Sequence, residues 1–153
     1  GPMNDRASIL IVDDEEVVRR SHLRSLADTG CRAEAAGDGQ AALQVMEQHP
    51  FDVVLLDLRM PGLDGMDVLK TIKQRWPESE VVVITGYPTI ESAKEAVRLG
   101  AQNYIAKPVG PAEVVKAANE AWTQKRWAMH RNQNDREADD LVERKPDSRP
   151  VTH

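Results

Sequence analysis

A chain of 153 residues with 41% hydrophobic content has the material for one core of ordinary size, and a formal charge of −5 gives no support to a surface that neutralises nucleic-acid phosphates. No apolar run approaches the roughly 18 residues that cross a bilayer, and no basic-then-apolar segment opens the chain, so a protein of the cytoplasm with no membrane partner is expected. The single cysteine, Cys31, cannot form an internal disulfide and reads as a small buried thiol.

Gly1 and Pro2 ahead of Met3 read as a remnant of tag removal, and residues 1–7 are set aside as an N-terminal tail. Ile9 to Val12 is a short apolar run that ends in acid, Asp13-Asp14-Glu15-Glu16, and the last of these acids suit the positive end of a helix. That helix runs to about Asp28 with Val18, His22 and Leu26 on its inward face, and Thr29-Gly30 stops it. No second histidine or cysteine stands at ligand spacing from His22, which reads as a satisfied core or boundary residue. Arg32 to Ala36 is a weak, alanine-rich strand, Gly37-Asp38-Gly39 a turn, and Gln40 to Gln48 a helix with Ala42, Val45 and Met46 inward.

The central stretch is Asp52 to Gly65, DVVLLDLRMPGLDG. Val53 to Leu56 is apolar on both strand faces, as a parallel strand covered by helices must be. Asp57 follows directly, and Pro61 and Gly62 turn the chain toward a helix over Met66 to Trp76, with Val68, Leu69 and Ile72 inward and Trp76 capping the core. Val81 to Ile84 is a further buried strand ending in Thr85-Gly86. Ile90, Ala93 and Val97 are then spaced for one face of a fourth helix, capped by Gly100. Asn103 to Ala106 is a fifth strand ending in Lys107-Pro108, and Pro111 to about Ala128 is a fifth helix with Val114, Val115, Ala118 and Trp122 inward. Residues 8–128 thus form one domain. The rest, 129–153, has almost no apolar residues and is expected to be a frayed helical extension followed by disorder.

Five strands alternating with five helices predict an α/β doubly wound parallel sheet with right-handed crossovers. In such a sheet the strands' carboxyl ends share one edge, where ligands bind. Asp13, Asp14, Asp57, Thr85 and Lys107 all fall there. Three carboxylates together repel one another and persist only with protons or a cation; with no histidine or cysteine among them, a hard oxygen-seeking ion, Mg²⁺, suits the set better than zinc. A cation, an ammonium and a hydroxyl around one carboxylate are the equipment for phosphoryl transfer, with Asp57 as nucleophile.

The segments IVDDEE, LLDLRMPGLDG, VVVITG and GAQNYIAKP, in this order and spacing, resemble the CheY-like receiver domain of two-component response regulators. The resemblance spans about Ile9 to Ala128, and ITGYPTIESAKEAVRLGAQNYIAKP is most similar to receivers of the nitrogen-regulation, enhancer-binding type. It implies a flavodoxin-like sheet of order 2-1-3-4-5 and a sensor histidine kinase as donor of a phosphoryl group to Asp57. It also implies Mg²⁺ held by Asp13, Asp14, Asp57 and the backbone carbonyl of Arg59, with Lys107 pairing with the phosphoryl oxygens. Thr85 and Tyr104 would be the switch, Tyr104 moving inward as Thr85 swings toward the phosphoryl group. The readout would be the face of the fourth helix, fifth strand and fifth helix, binding a partner or a second copy. Lys107-Pro108 matches a bond often cis in the family, and Val17 and Val18 lie on its kinase-facing helix. Arg59 and Tyr87, two residues beyond Asp57 and Thr85, are bulky and would shield the acyl phosphate from water.

The resemblance implies a phosphoprotein of the phosphorelay class whose chemistry is confined to taking up and losing its own phosphoryl group. The alternatives weighed are a receiver-fold interaction module not regulated by phosphorylation, an aspartate-nucleophile phosphate hydrolase, and a flavodoxin. The hydrolase would need a second aspartate where Arg59 stands, and the flavodoxin a hydroxyl- and glycine-rich first loop. Nitrogen-regulation receivers precede an ATPase and a DNA-binding domain, so the chain is expected to be either cut from a longer activator or a stand-alone regulator; its ragged polar end leans to the second.

Overall fold

The computed structural model describes residues 7–144. Ten elements follow in strict alternation: β1 Ser8–Val12, α1 Glu16–Ala27, β2 Arg32–Ala36, α2 Gly39–Gln48, β3 Val53–Leu56, α3 Gly65–Arg75, β4 Glu80–Thr85, α4 Ile90–Arg98, β5 Asn103–Ala106 and α5 Pro111–Arg144. The strands form one parallel sheet of order β2-β1-β3-β4-β5. This is the flavodoxin-like order that the receiver resemblance implied.

Side-chain alternation along the strands sorts the core into two layers. Leu10, Val12, Val54, Leu56, Val81 and Val83 point to the face covered by α2, α3 and α4, where Met46, Leu69, Ile72 and Ala96 meet them. Ile9, Ile11, Val53, Leu55, Val82 and Ile84 point to the other face, against Leu26 of α1 and Val114, Ala118 and Ala121 of α5. Nearly all of these are fully buried, and each large aliphatic side chain contributes roughly 1.5–3 kcal/mol by leaving water. Exposed or half-buried residues make up most of the edge strands β2 and β5, whereas in β1 and β4 only the first residue, Ser8 and Glu80, is half-buried. That explains why β2, rich in alanine, reads weakly as a strand.

Local chemistry sets the helix starts. The carboxylates of Asp38 and Asp64 accept from the amides of Ala41 and Met66, and the Thr89 hydroxyl accepts from Ser92, capping α2, α3 and α4. At the start of α3 only glycine fits: a Cβ on Gly65 would stand 2.4 Å from Leu58 Cα and 2.5 Å from Leu58 O. The loop after β3 is thereby pressed flat against the first turn of α3, with the Gly65 amide donating to Leu58 O at 3.1 Å.

The face that Ile90 and Val97 share is turned outward: they are 72% and 64% exposed, and α4 packs through Ala96, with Ala93 half-buried. At about 100° per residue Ala96 lies roughly 120° around the helix from Ile90, and its small side chain lets α4 sit close to the sheet. His22 is buried at 6% exposure, yet its Nδ1 has no hydrogen-bond partner among the described residues, so it is a core histidine without the satisfaction expected of one. The helical extension expected beyond Ala128 is present, α5 continuing through Arg144. Residues 145–153, the last part of the expected tail, lie outside the described residues, as do residues 1–6. Cys31 is half-buried ahead of β2, its Sγ 3.7 Å from Leu26 O.

Candidate functional site

The carboxyl ends of β1, β3, β4 and β5 converge as the topology requires. Asp13 and Asp57 are buried at 3% and 5% exposure while Asp14 is open to solvent, and one carboxylate oxygen from each lies within 4.8 Å of the others. Lys107, from the far end of β5, reaches across: its Nζ donates to Asp13 Oδ2 at 2.8 Å and to Asp57 Oδ2 at 3.1 Å. Asp57 Oδ1 accepts from the Arg59 amide at 3.0 Å, and Asp13 Oδ1 from the Glu15 amide at 2.9 Å. A cavity of about 530 Å³ opens over Asp14, Asp57, Gly86 and Lys107.

Burial opposes charge in this cluster. It pushes the Asp57 carboxyl above its ordinary range, assisted by the negative Asp13 and resisted by the Arg59 amide and the Lys107 ammonium. Burial also pulls on Lys107, but the hydrogen bonds and charges of Asp13 and Asp57 outweigh it and the ammonium is raised above its usual value. His22, behind Asp13, is lowered by burial, with Asp13 opposing and Lys107 adding to the shift. Three acids and one lysine leave an excess of negative charge at the mouth. An all-oxygen set with one solvent-facing member fits a small divalent ion that keeps part of its water shell.

The other residues singled out from the sequence gather around this cluster. Arg59 and Tyr87 meet, the guanidinium carbon 4.1 Å from the tyrosine ring centroid, and both line the cavity mouth. Thr85 is buried at the end of β4, its Oγ1 accepting from the Tyr87 amide at 3.1 Å. Tyr104 is half-buried on β5 with its hydroxyl at the start of α4, where it accepts from the Thr89 amide at 3.2 Å and hydrogen-bonds Ser92 Oγ. Val17, exposed, and Val18, half-buried, border a second groove of about 480 Å³ that runs past His22 to Pro108 and Val109. The Lys107-Pro108 bond is cis, as the resemblance implied.

Sequence reasoning missed residues that act at a distance. Arg19 of α1 donates from Nη1 to the Asp13 carbonyl at 2.8 Å, holding the acid-bearing loop from behind. At the opposite edge of the sheet Asp52 accepts from the Ser8 amide at 2.9 Å and from Lys125 Nζ at 2.7 Å, tying β1 and β3 to α5. Neither set has a spacing signature: Arg19 and Asp13 stand six positions apart across a loop, and Asp52 and Lys125 are 73 positions apart.

An acidic pocket at the carboxyl edge of a doubly wound sheet, closed by a lysine from the last strand and a threonine from the fourth, defines a class. The chain belongs to the response regulator receiver domain family, whose model matches residues 9–119. Within it the similarity is to regulators of the NtrC and NtrX type. An NtrX-like response regulator of Rickettsia felis is 39% identical over 102 residues, covering 65% of this chain and 22% of that protein. The regulatory protein AtoC of Escherichia coli is 38% identical over 128 residues, 82% of this chain and 28% of its own length. Among solved structures, NtrX from Brucella abortus superposes with a TM-score of 0.75 at 34% identity, covering 91% of this chain and 30% of that one. A CheY-like receiver domain from Methanospirillum hungatei gives 0.77 at 27% identity, covering 80% and 98%. The chain therefore spans about a quarter of the length of the NtrX-like and AtoC regulators it matches. No helix among the described residues is long and apolar enough to cross a membrane.

Proposed function

We propose that this chain is a phosphorylation switch of the cytoplasm: Asp57 takes a phosphoryl group from the phosphohistidine of a sensor kinase or from a small acyl phosphate. The observation that carries the reading is Lys107 Nζ poised between Asp13 and Asp57, 2.8 and 3.1 Å from their carboxylates, beside a cavity lined by Asp14, Glu15 and Arg59. Mg²⁺ held by Asp13, Asp14, Asp57 and the Arg59 carbonyl would supply the positive charge that lets a phosphoryl group approach three carboxylates.

The chain's own residues do the rest. A carboxylate oxygen of Asp57 attacks phosphorus in line, an O–P bond forms, and the P–N or P–O bond to the donor breaks with its electron pair leaving on the donor. Lys107 follows the new phosphoryl oxygens, releasing part of its hold on Asp13. Thr85 exchanges the Tyr87 amide for a phosphoryl oxygen, and Tyr104 turns into the space it leaves. Arg59 stacked on Tyr87 narrows the way in for water and slows hydrolysis of the acyl phosphate. The readout is the α4–β5–α5 face, where Tyr87, Ile90 and Val97 stand exposed and offer a second copy or another protein an apolar surface. The kinase docks on the other side, at the Val17–Val18 groove.

Intact mass after incubation with acetyl phosphate tests this. One added phosphoryl group that requires both Mg²⁺ and Asp57, absent from Asp57→Asn, is the expected result, with size exclusion of the same samples reporting dimerisation. No gain from acetyl phosphate or from a phosphorylated kinase, together with no Mg²⁺ binding, would leave the receiver fold serving as an unphosphorylated interaction module.

A further inference from the structure

The start of α4 carries an incomplete cap. In a capping box, the N-cap hydroxyl accepts from the third helical amide while a Glu or Gln at that third position reaches back to the N-cap amide. Here Thr89 is the N-cap and the first half is present, Thr89 Oγ1 accepting from the Ser92 amide at 3.0 Å. The third position is Ser92, whose short side chain does not return to the Thr89 amide. Its Oγ instead lies on Thr89 Oγ1 at 2.9 Å and on the Thr89 carbonyl at 3.2 Å. The Thr89 amide donates to the hydroxyl of Tyr104, fifteen positions away on β5, and the same hydroxyl is held by Ser92 Oγ.

We infer that Thr89 and Ser92 are positioning residues for the switch: they hold Tyr104 outward by making it the missing half of the α4 cap. The inference rests on the proposed inward turn of Tyr104 and gives that turn a mechanical consequence. When Tyr104 leaves, the Thr89 amide loses its acceptor and Ser92 loses a partner, so the first turn of α4 loosens. That turn carries exposed Ile90, two residues before Ser92, so the loss of the cap is transmitted directly to the apolar readout face. A matching tether stands on the other switch residue, the Thr85 hydroxyl being occupied by the Tyr87 amide. The resting state is thus held by two hydrogen-bond tethers at the two ends of the segment 85–92, with exposed Gly86 between them.

Ser92→Gln supplies the missing half of the box and makes the Tyr104 hydroxyl redundant, whereas Ser92→Ala removes a partner of Tyr104 and supplies nothing. The chain has only two tyrosines, so fluorotyrosine labelling gives two ¹⁹F lines, assigned with Tyr87→Phe. In the resting protein, Ser92→Gln moves the Tyr104 line while the Thr89 amide stays protected from hydrogen exchange. Ser92→Ala moves the same line and raises Thr89 exchange about fivefold, the effect of one ordinary hydrogen bond. Ser92→Thr, which keeps the hydroxyl, leaves both at wild-type values. Exchange in α2 stays unchanged in all three, separating a local release from general destabilisation. A Tyr104 line unmoved by both Gln and Ala, or Thr89 exchange unaltered in Ser92→Ala, overturns the inference. These arms need no phosphate, so they stand or fall separately from Asp57 chemistry; with acetyl phosphate and Mg²⁺ the wild-type Tyr104 line moves toward its position in Ser92→Gln.

Discussion

Asp57 is placed where its own charge is costly. Burial raises its folded pKa above the ordinary value of 3.8, so the folded state favours the protonated carboxyl. The stability this group contributes is therefore present at low pH and lost as pH rises through the window between the ordinary and the raised value. Asp57→Asn is expected to be more stable than wild type at pH 7 without Mg²⁺, the gap closing below about pH 4 as the wild-type carboxyl protonates; thermal melts across that range check it. His22 has the opposite sign. A histidine whose folded value is lowered from 6.5 by burial loses stability as pH falls below that ordinary value, because the unfolded chain takes up the proton first. Replacing it by leucine, which fills similar space, flattens the acid side of the urea-unfolding profile, and an unchanged slope would place the titration elsewhere. Arg59 and Tyr87 act as a pair, so the double alanine variant loses its phosphoryl group several-fold faster than wild type, followed by mass against time after donor removal.

Among the elements, α3 and α5 show how position is transmitted to the pocket. The first turn of α3 presses on the backbone of Leu58, the residue after Asp57, so Gly65→Ala forces backbone against Cβ. An overpacking cost of about 1–3 kcal/mol is expected, measured by urea unfolding, together with weaker Mg²⁺ binding as the Asp57 loop shifts. At the other end of the sheet, Lys125 of α5 reaches the Asp52 carboxylate, both side chains mostly buried. Lys125→Met keeps the stem and loses the bond, at an expected cost of about 1.5 kcal/mol, and it frees the extended part of α5 from its tie to the sheet. The turned-out stripe of α4 belongs to this scale as well: the periodicity of Ile90, Ala93 and Val97 announces an apolar face, and only packing decides whether that face is core or docking surface.

For the whole molecule, the excess of acid at one edge makes stability depend on what binds there. A ligand present at a hundred times its dissociation constant stabilises by about 2.7 kcal/mol. Saturating Mg²⁺ is expected to raise the wild-type melting temperature, and to do so much less in Asp14→Asn. Two further surfaces stand open on the domain, the Val17 groove beside α1 and the exposed Ile90–Val97 stripe on α4.

The alternation of buried strands and amphipathic helices, and the acids, threonine and lysine at the strand ends, could be read from residues alone, since each is a local pattern of period 2 or 3.6 or a residue type next to it. Family resemblance added the order of the strands, which alternation leaves open. Other features belong to the folded chain: Lys107 bridging two carboxylates, Arg19 behind Asp13, Asp52 tied to Lys125, and Tyr104 completing the cap of α4. Arg19 and Asp13 stand six positions apart across a loop that follows no helical or strand period, and each of the others joins positions that only the sheet brings together, where hydrogen bonds leave no periodic trace. The direction of α4 is decided the same way. Its apolar stripe and its alanine face both satisfy a helical pattern, and the closer approach of the small side chains to the sheet chose which would be buried.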